Sequence, residues 1–212
     1  MGFGNIFGQR SMTLSDYARR LNFRSGCAHL PAAILMTDFA RLADPGPLLG
    51  ALPAGALVLY RNYQSPNRAR EAVALKSLCR RHGLKLIVAE DPWLAYAAEA
   101  DGLHLSEPTA RQSGQASAAK MRGGGLLTVA AHSPAGLMRA AALGADAALL
   151  SAVFETKSHP GAAGLGILKF VAWGRRAPLP VYALGGIDAG NAGRLMHSGA
   201  AGIAGIGGWM QP

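Results

Sequence analysis

Short apolar runs alternate with longer amphipathic stretches along the chain from about Pro31 onward. Each run has the length of a strand, and a continuous apolar run is typical of a strand buried on both faces of a parallel sheet. The pattern predicts strands over Ala32–Met36, Ala56–Tyr60, Lys85–Ala89, Leu103–Leu105, Leu126–Ala130, Ala147–Leu150, Pro180–Leu184 and Ala201–Ile206.

The stretches between these runs predict helices. In Pro66–His82 the apolar positions approximate helical spacing, Pro66 suits a first turn, and Gly83 suits a C-terminal cap. Further helices are predicted at Leu14–Leu21, Pro92–Glu99, Pro134–Leu143, Leu165–Arg175 and Ala189–Ser198, with a less regular Ala/Ser-rich segment at Glu107–Met121.

This alternation favours the α/β class and a single (β/α)8 TIM barrel. A doubly wound open sheet is the alternative, but its glycine fingerprint is missing from the first strand–helix turn. We assign residues 1–31 to an N-terminal extension with a helix and residues 32–212 to a short TIM-barrel domain. Because only Gly207–Pro212 follows the last strand, the N-terminal helix is expected to cover the barrel instead of a full final helix.

Composition narrows the class of protein. The formal charge is +9, but the basic residues are dispersed and form no nucleic-acid motif, so small anionic ligands are favoured over nucleic acid. No apolar run approaches the roughly 18 residues of a membrane span. Residues 1–10 do not have the pattern of a secretory signal, and the two cysteines match no metal spacing, so we expect reduced thiols in a cytoplasmic protein. Whether it forms a homo-oligomer stays open.

The glycines of the last third predict a phosphate site. In a TIM barrel the active site lies at the carboxyl ends of the strands, and the loops after strands seven and eight often bind phosphate. Gly185 and Gly186 follow the seventh strand, and Ile206 and Gly207 close the eighth. Glycine lets backbone N–H groups approach an anion closely, so we expect phosphate to bind there, although tight turns alone would also explain these residues.

Several segments resemble the thiamine phosphate synthase and thiazole tautomerase family, and they occur in that family's order. They are Ala100–Leu105, Val129–Ser133, Ala142–Asp146, Val153–Thr156, Ala183–Ile187 and Ser198–Ala204. The resemblance implies a barrel that binds a thiazole phosphate. In the synthase branch this substrate is joined to hydroxymethylpyrimidine pyrophosphate, and pyrophosphate is released with the help of Mg²⁺. Carboxylates would hold the metal and cations the leaving diphosphate.

The resemblance also implies roles for particular residues. Arg61 matches the family's diphosphate-binding arginine, Asp91 keeps a metal-ligand carboxylate, and Glu90 could add another. In the loop after strand six, Lys157 stands for the family's lysine, and its neighbours Thr156, Ser158 and His159 belong to the same substrate loop.

Other family positions are replaced. The glutamine and lysine that flank the arginine fall on Leu59 and Tyr63, the second metal-ligand aspartate on Thr109, and a serine on Ala130. Glu107 could substitute for that aspartate. Three readings therefore stay open: a synthase, a metal-independent tautomerase, and a non-catalytic binder of thiazole phosphate.

Two histidines at the ends or inside of the strands have different expected roles. The tautomerase reading uses His132, at the end of strand five, as the acid or base, since imidazole titrates near neutrality. His132 could equally be a helix-end neighbour that only hydrogen-bonds a loop. His104, inside strand four, is expected to be a packed barrel histidine.

Overall fold

The predicted strands close into a parallel barrel, which confirms the TIM-barrel fold. The computed structural model describes residues 11–38, 44–114, 124–156, 161 and 163–210. Neighbouring strands pair in parallel in sequence order, and the eighth strand pairs with the first. The strands are β1 Ala33–Met36, β2 Leu57–Tyr60, β3 Lys85–Ala89, β4 Gly102–Leu105, β5 Leu126–Ala131, β6 Ala147–Leu150, β7 Val181–Leu184 and β8 Ile203–Gly205.

Helices follow most of the strands. They are α1 Leu14–Arg24, α2 Gly46–Leu49, α3 Arg68–Arg81, α4 Pro92–Ala97, α5 Glu107–Gln112, α6 Pro134–Ala142 and α7 Gly166–Gly174, with 3₁₀ helices at Ala192–Leu195 and Gly207–Met210. The helices α4, α5 and α6 begin alike: Asp91, Ser106 or Ser133 accepts a backbone N–H at the N-cap, and a proline stands in the first turn.

The prediction of a helix over Ala189–Ser198 was wrong. Only the 3₁₀ turn Ala192–Leu195 forms there. Asp188 and Asn191 exchange hydrogen bonds between side chain and backbone, at 3.0 and 3.1 Å, which builds a turn instead of a helix start. Gly190 and Gly193 lower the helix propensity of the rest.

The barrel interior is filled from alternate strand positions. Inward-facing side chains form a buried inner cluster that includes Ile34, Met36, Leu57, Leu59, Ile87, Ala89, Leu149 and Tyr182. The intervening positions, such as Val58 and Val88, belong to the outer cluster beneath the helices. Because strand side chains alternate, the next inward position after Leu59 is Arg61, at the mouth of the barrel.

The helix α1 covers the barrel, as the sequence predicted, and it does so at the seam between β8 and β1. It packs against β1 and against the 3₁₀ helix at Ala192–Leu195. At its start, Leu14 reaches Gly208: a Cβ there would lie 3.1 Å from Leu14 Cδ2. Near its end, the buried Asn22 donates to the carbonyls of Cys27, Leu30 and Ala201 at 2.9, 3.2 and 2.8 Å. Thus α1 runs from beyond the carboxyl end of β8 to the amino ends of β8 and β1, as a helix after β8 would.

Both cysteines are free and buried, and burial raises the pKa of Cys79 to about 12.

Within the described ranges, no helix has both the length and the apolar character needed to cross a bilayer.

Candidate functional site

Arg61 lies at the mouth of the barrel, directly after β2, where the sequence predicted an anion-binding arginine. Its backbone N–H donates to Thr37 Oγ1 at 3.0 Å, and its Nε lies 3.4 Å from the Thr37 carbonyl. Thr37 follows β1 and is buried. The neighbouring strand end therefore fixes both the backbone and the side chain of Arg61.

His104 is a packed histidine of the barrel interior, which confirms the expectation from its place in β4. It is buried, and its Nδ1 lies 2.8 Å from Thr128 Oγ1 on β5. Burial, and secondarily the charge of Arg61, lowers the pKa of His104 to about 3. The imidazole is therefore neutral at physiological pH.

Arg68, the first residue of α3, is a second cation at this end of the barrel. Its Nη1 lies 3.0 Å from Asp91 Oδ2, and its Nη2 lies 2.9 Å from the carbonyl of Ala89. The guanidinium also lies 5.9 Å from the ring centroid of Tyr60 and 5.4 Å from that of Tyr63. These contacts hold the side chain over the carboxyl ends of β2 and β3.

The carboxylates of Glu90 and Asp91, predicted to hold a metal, are occupied by protein donors. Glu90 accepts the backbone N–H of Ser106 on one oxygen and the hydroxyl of Thr109 on the other. Asp91 accepts the backbone N–H of Leu94 at 2.9 Å on Oδ1, and its Oδ2 pairs with Arg68. Within the described residues, no group of three or more acidic, histidine or cysteine side chains could hold a metal ion. This donor set does not fit an open Mg²⁺ site.

Glu107 pairs with His132 instead of joining Glu90. Glu107 Oε2 accepts the backbone N–H of His132 at 2.9 Å and lies 2.7 Å from its Nδ1. Glu107 Oε1 accepts from Arg111 at 2.7 Å. The Glu107 side chain is 7% exposed and that of His132 is 59% exposed, so a buried carboxylate holds an accessible imidazole. A cavity of about 350 Å³ opens beside the pair.

The glycines after β7 have the positive φ that the sequence suggested. Gly185 and Gly186 have φ of 102° and 67°. A Cβ at Gly185 would lie 2.8 Å from Ala152 Cβ, and one at Gly186 would lie 2.3 Å from the carbonyl oxygen of Glu155. The two glycines therefore let the loop after β6 pack directly on the loop after β7.

The sequence that forms this barrel matches the model of a known family. The sequence model of the family described as thiamine monophosphate synthase matches residues 47–208. The chain belongs to that family.

Curated relatives agree with this assignment. The thiamine-phosphate synthase of Chromobacterium violaceum is 40% identical over 167 residues, which cover 74% of this chain and 77% of the relative. That of Methylobacillus flagellatus is 36% identical over 176 residues and 81% of each chain. Among solved structures, a thiamine phosphate pyrophosphorylase from Pyrococcus furiosus is similar in fold, with a TM-score of 0.65 and 24% identity over 82% of this chain and 84% of that one.

This member of the thiamine monophosphate synthase family departs from the expected pattern at several positions. The residues found there make other contacts. Leu59 is fully buried in the barrel interior. The Tyr63 ring contacts Arg68, and the Thr109 hydroxyl donates to Glu90. Glu107, which the sequence suggested as a substitute metal ligand, binds His132 and Arg111 instead.

The substrate loop is described only in part. Thr156 lies next to the glycines after β7: a Cβ at Gly185 would be 3.2 Å from Thr156 Cγ2. Lys157, Ser158 and His159 lie outside the described residues. Ile206 and Gly207 come directly after β8, and Gly207 begins a 3₁₀ helix.

Sequence reasoning missed Arg68 and the partner of His132. Arg68 stands among other charged residues on an amphipathic helix, a pattern that indicates a solvent-facing position. Neither the contact of Arg68 with Asp91 nor that of Glu107 with His132 leaves a signal in local spacing, because each joins different strand ends.

Proposed function

We propose that the chain is a transferase of thiamine biosynthesis of the thiamine-phosphate synthase type. It joins a thiazole phosphate to hydroxymethylpyrimidine pyrophosphate and releases pyrophosphate. The observation that carries this proposal is the family match over residues 47–208, supported by relatives of that name at up to 40% identity.

The thiazole phosphate is proposed to bind the rim formed by Gly185, Gly186, Ile206 and Gly207. The rim lies after β7 and β8, where TIM barrels often bind phosphate. Gly185 and Gly186 both have positive φ, and successive backbone N–H groups in such a turn can point at one anion.

The diphosphate is proposed to bind across the mouth from this rim, at the ends of β2 and β3. Arg61 supplies a fixed cation there, and Lys157 is proposed to add a second from the substrate loop. When the bond between the pyrimidine methylene and the diphosphate breaks, negative charge builds on the leaving oxygen. Positioned cations stabilise that charge in the transition state.

The resemblance implies magnesium at Asp91 and Glu90, but the residues present do not fit it. Each of the four carboxylate oxygens has a protein donor, so no step is assigned to a metal. A cytoplasmic location and self-association stay predictions.

The test is synthesis by the purified full chain. With both phosphorylated precursors present, we expect thiamine phosphate to form and one pyrophosphate to be released for each product. Arg61→Gln should lower kcat/KM by about tenfold or more, because a charged hydrogen bond to the leaving group is lost. Arg70→Gln is the matched control, since Arg70 is exposed on α3. An absence of product, with and without Mg²⁺, would reject the proposal.

A second candidate, proton transfer on the thiazole ring, is favoured by the pairing of Glu107 with His132. A carboxylate only accepts hydrogen bonds, so Nδ1 of His132 donates to it, and Nε2 of the neutral ring is left to exchange a proton. In that case His132→Asn should keep the affinity for thiazole phosphate and lose its isomerisation. Equal isomerisation by the variant would exclude the role. Binding that raises the melting temperature without turnover in either assay would indicate a non-catalytic binder.

A further inference from the structure

Arg68 is a cation built into the end of the barrel, with no role so far. Its side chain is only 20% exposed, although α3 begins at the protein surface with exposed neighbours. A charge removed from most water needs partners, and Arg68 has the Asp91 carboxylate, the Ala89 carbonyl and two aromatic rings. The chain therefore keeps a positive charge at a fixed place over β2 and β3.

The protein does not satisfy this guanidinium completely. Its Nε is buried and has no hydrogen-bond acceptor within the described part of the chain. This nitrogen is closed off by the protein, so a ligand would have to use the other nitrogens. A guanidinium has five N–H groups, and Nη1 and Nη2 each keep one beyond their contacts with Asp91 and Ala89, which an anion oxygen can accept.

Tyr63 connects the segments that carry the two arginines. Its backbone N–H donates to the Arg61 carbonyl at 2.8 Å, and the Arg68 guanidinium lies 5.4 Å from its ring centroid. Burial raises the pKa of Tyr63, and the charges of Arg61 and Arg68 oppose that rise. Arg61 and Arg68 are the two cations at this end of the barrel, and Arg68 is the one paired with Asp91.

A divalent cation does not suit the same place. To reach Asp91 Oδ2, a metal ion would have to approach a guanidinium nitrogen 3.0 Å from that oxygen. Like charges repel strongly at such a distance in a partly buried site. On the neighbouring residue, Glu90 is already engaged by Ser106 and Thr109.

We propose that Arg68 is the resident cation of the diphosphate end of the pocket, and that this end binds a diphosphate without a divalent metal. The identity of the ligand rests on the proposed function. The contribution of Arg68 rests on its contacts with Asp91, Ala89, Tyr60 and Tyr63.

The experiment is calorimetric titration of inorganic pyrophosphate into the full chain, once in EDTA and once in excess Mg²⁺. Wild type is expected to bind in EDTA, because the proposed site contains no metal. Its Kd should lie within about threefold of the value in Mg²⁺, a difference of less than 1 kcal/mol in binding free energy. Arg68→Gln should weaken binding in EDTA by about tenfold or more, because a charged contact is lost. Arg68→Lys keeps the charge and should fall between the two. Arg70→Gln, on the same helix, should bind like wild type.

Three results would overturn the proposal: wild type that does not bind pyrophosphate, wild type that binds it only with Mg²⁺, or a folded Arg68→Gln variant that binds it as wild type does. The comparison of EDTA with Mg²⁺ uses wild type alone, so it decides the matter even if Arg68→Gln fails to fold. Failure of the proposed function is a separate result, because it appears as absent thiamine phosphate in the synthesis assay whatever the titration gives.

Discussion

One carboxylate oxygen of Glu107 holds both the backbone and the ring of His132. Oε2 is 2.9 Å from the backbone nitrogen and 2.7 Å from Nδ1, and the residues are 25 positions apart. The contact joins the start of α5, after β4, to the residue that follows β5. Glu107 therefore fixes where the loop after β5 begins and which imidazole nitrogen faces away from the protein.

Replacing Glu107 tests how much its contacts with His132 and Arg111 contribute to the stability of the fold. Burial raises the pKa of Glu107, but hydrogen bonds from Arg111 and His132 outweigh it, and the pKa is lowered from 4.5. The carboxylate thus stabilises the fold above its ordinary pKa, and this contribution is lost as the pH falls below it. We expect Glu107→Gln to reduce the free energy of unfolding by about 1–3 kcal/mol near neutral pH, and by less in acid.

Urea denaturation at several pH values measures this difference. Glu99→Gln is the control, since Glu99 is exposed. If the difference in unfolding free energy between Glu107→Gln and wild type stayed constant down to about pH 3, the ionised carboxylate would not be the stabilising group.

His104 predicts a second effect of pH on stability, which arises from a buried neutral imidazole instead of a carboxylate. Its pKa is about 3 in the fold, against an ordinary value of 6.5. The unfolded chain therefore binds the proton more tightly, and stability is lost as the pH falls from 6.5 toward 3. Between about pH 7.5 and about pH 5 this group alone should lower the free energy of unfolding by about 2 kcal/mol.

The variant that isolates this effect is His104→Gln. It should be less stable than wild type at about pH 7.5, because packing is disturbed, but it should lose less stability on acidification to about pH 5. His82→Gln is the matched control, since His82 is exposed. If both variants and wild type showed the same slope of stability against pH, a buried neutral His104 would be excluded.

The barrel could be predicted from sequence, and its charged contacts could not. Strands such as Leu57–Tyr60 and Leu86–Ala89 are buried on both faces, so each leaves a continuous apolar run that the sequence reveals directly. The pairing of Arg68 with Asp91 spans 23 positions and depends on how two strand ends are placed side by side. No local pattern encodes that placement.

The candidate site was predictable to the extent that its residues follow strands. Arg61, Gly185 and Gly186 lie where the strand pattern placed them, because a residue that directly follows a strand must lie at the mouth. Glu90 and Asp91 are also at the mouth, but the donors that occupy them come from the N-cap residue Ser106 and from the helices α3, α4 and α5. A carboxylate motif identifies a candidate ligand and does not reveal which protein groups compete for it.

Gly186 predicts a steric effect that can be separated from backbone strain. Gly186→Ala adds a Cβ 2.3 Å from the Glu155 carbonyl oxygen at a φ of 67°. Gly199→Ala is the matched control, because Gly199 has a φ of 79° and nothing within 4 Å of its Cβ position. The control should lose about 1–2 kcal/mol of unfolding free energy through strain alone. Gly186→Ala should lose a further 1–3 kcal/mol or so through displacement of the loop after β6.

Chemical denaturation of the two variants measures the difference. Equal losses for the two would mean that the loop after β6 does not press on Gly186. The phosphate role of the rim predicts in addition that Gly186→Ala weakens the binding of thiazole phosphate, which Gly199→Ala should leave unchanged.

Asn22 predicts how strongly α1 stabilises the seam between β8 and β1. Its Nδ2 is shared by three carbonyls, two of which precede the amino ends of β1 and β8. In Asn22→Ala the carbonyls of Leu30 and Ala201 lose this donor, and we expect the free energy of unfolding to fall by about 2–3 kcal/mol. Asn67→Ala is the control, because Asn67 is exposed and its side chain makes no capping hydrogen bond.

Hydrogen exchange should locate the effect of Asn22→Ala in the structure. Amides of β1 and β8 should exchange faster in Asn22→Ala, while those of β4 and β5 change less. Uniform acceleration over all strands would mean that α1 stabilises the barrel as a whole and does not act locally at the β8–β1 seam.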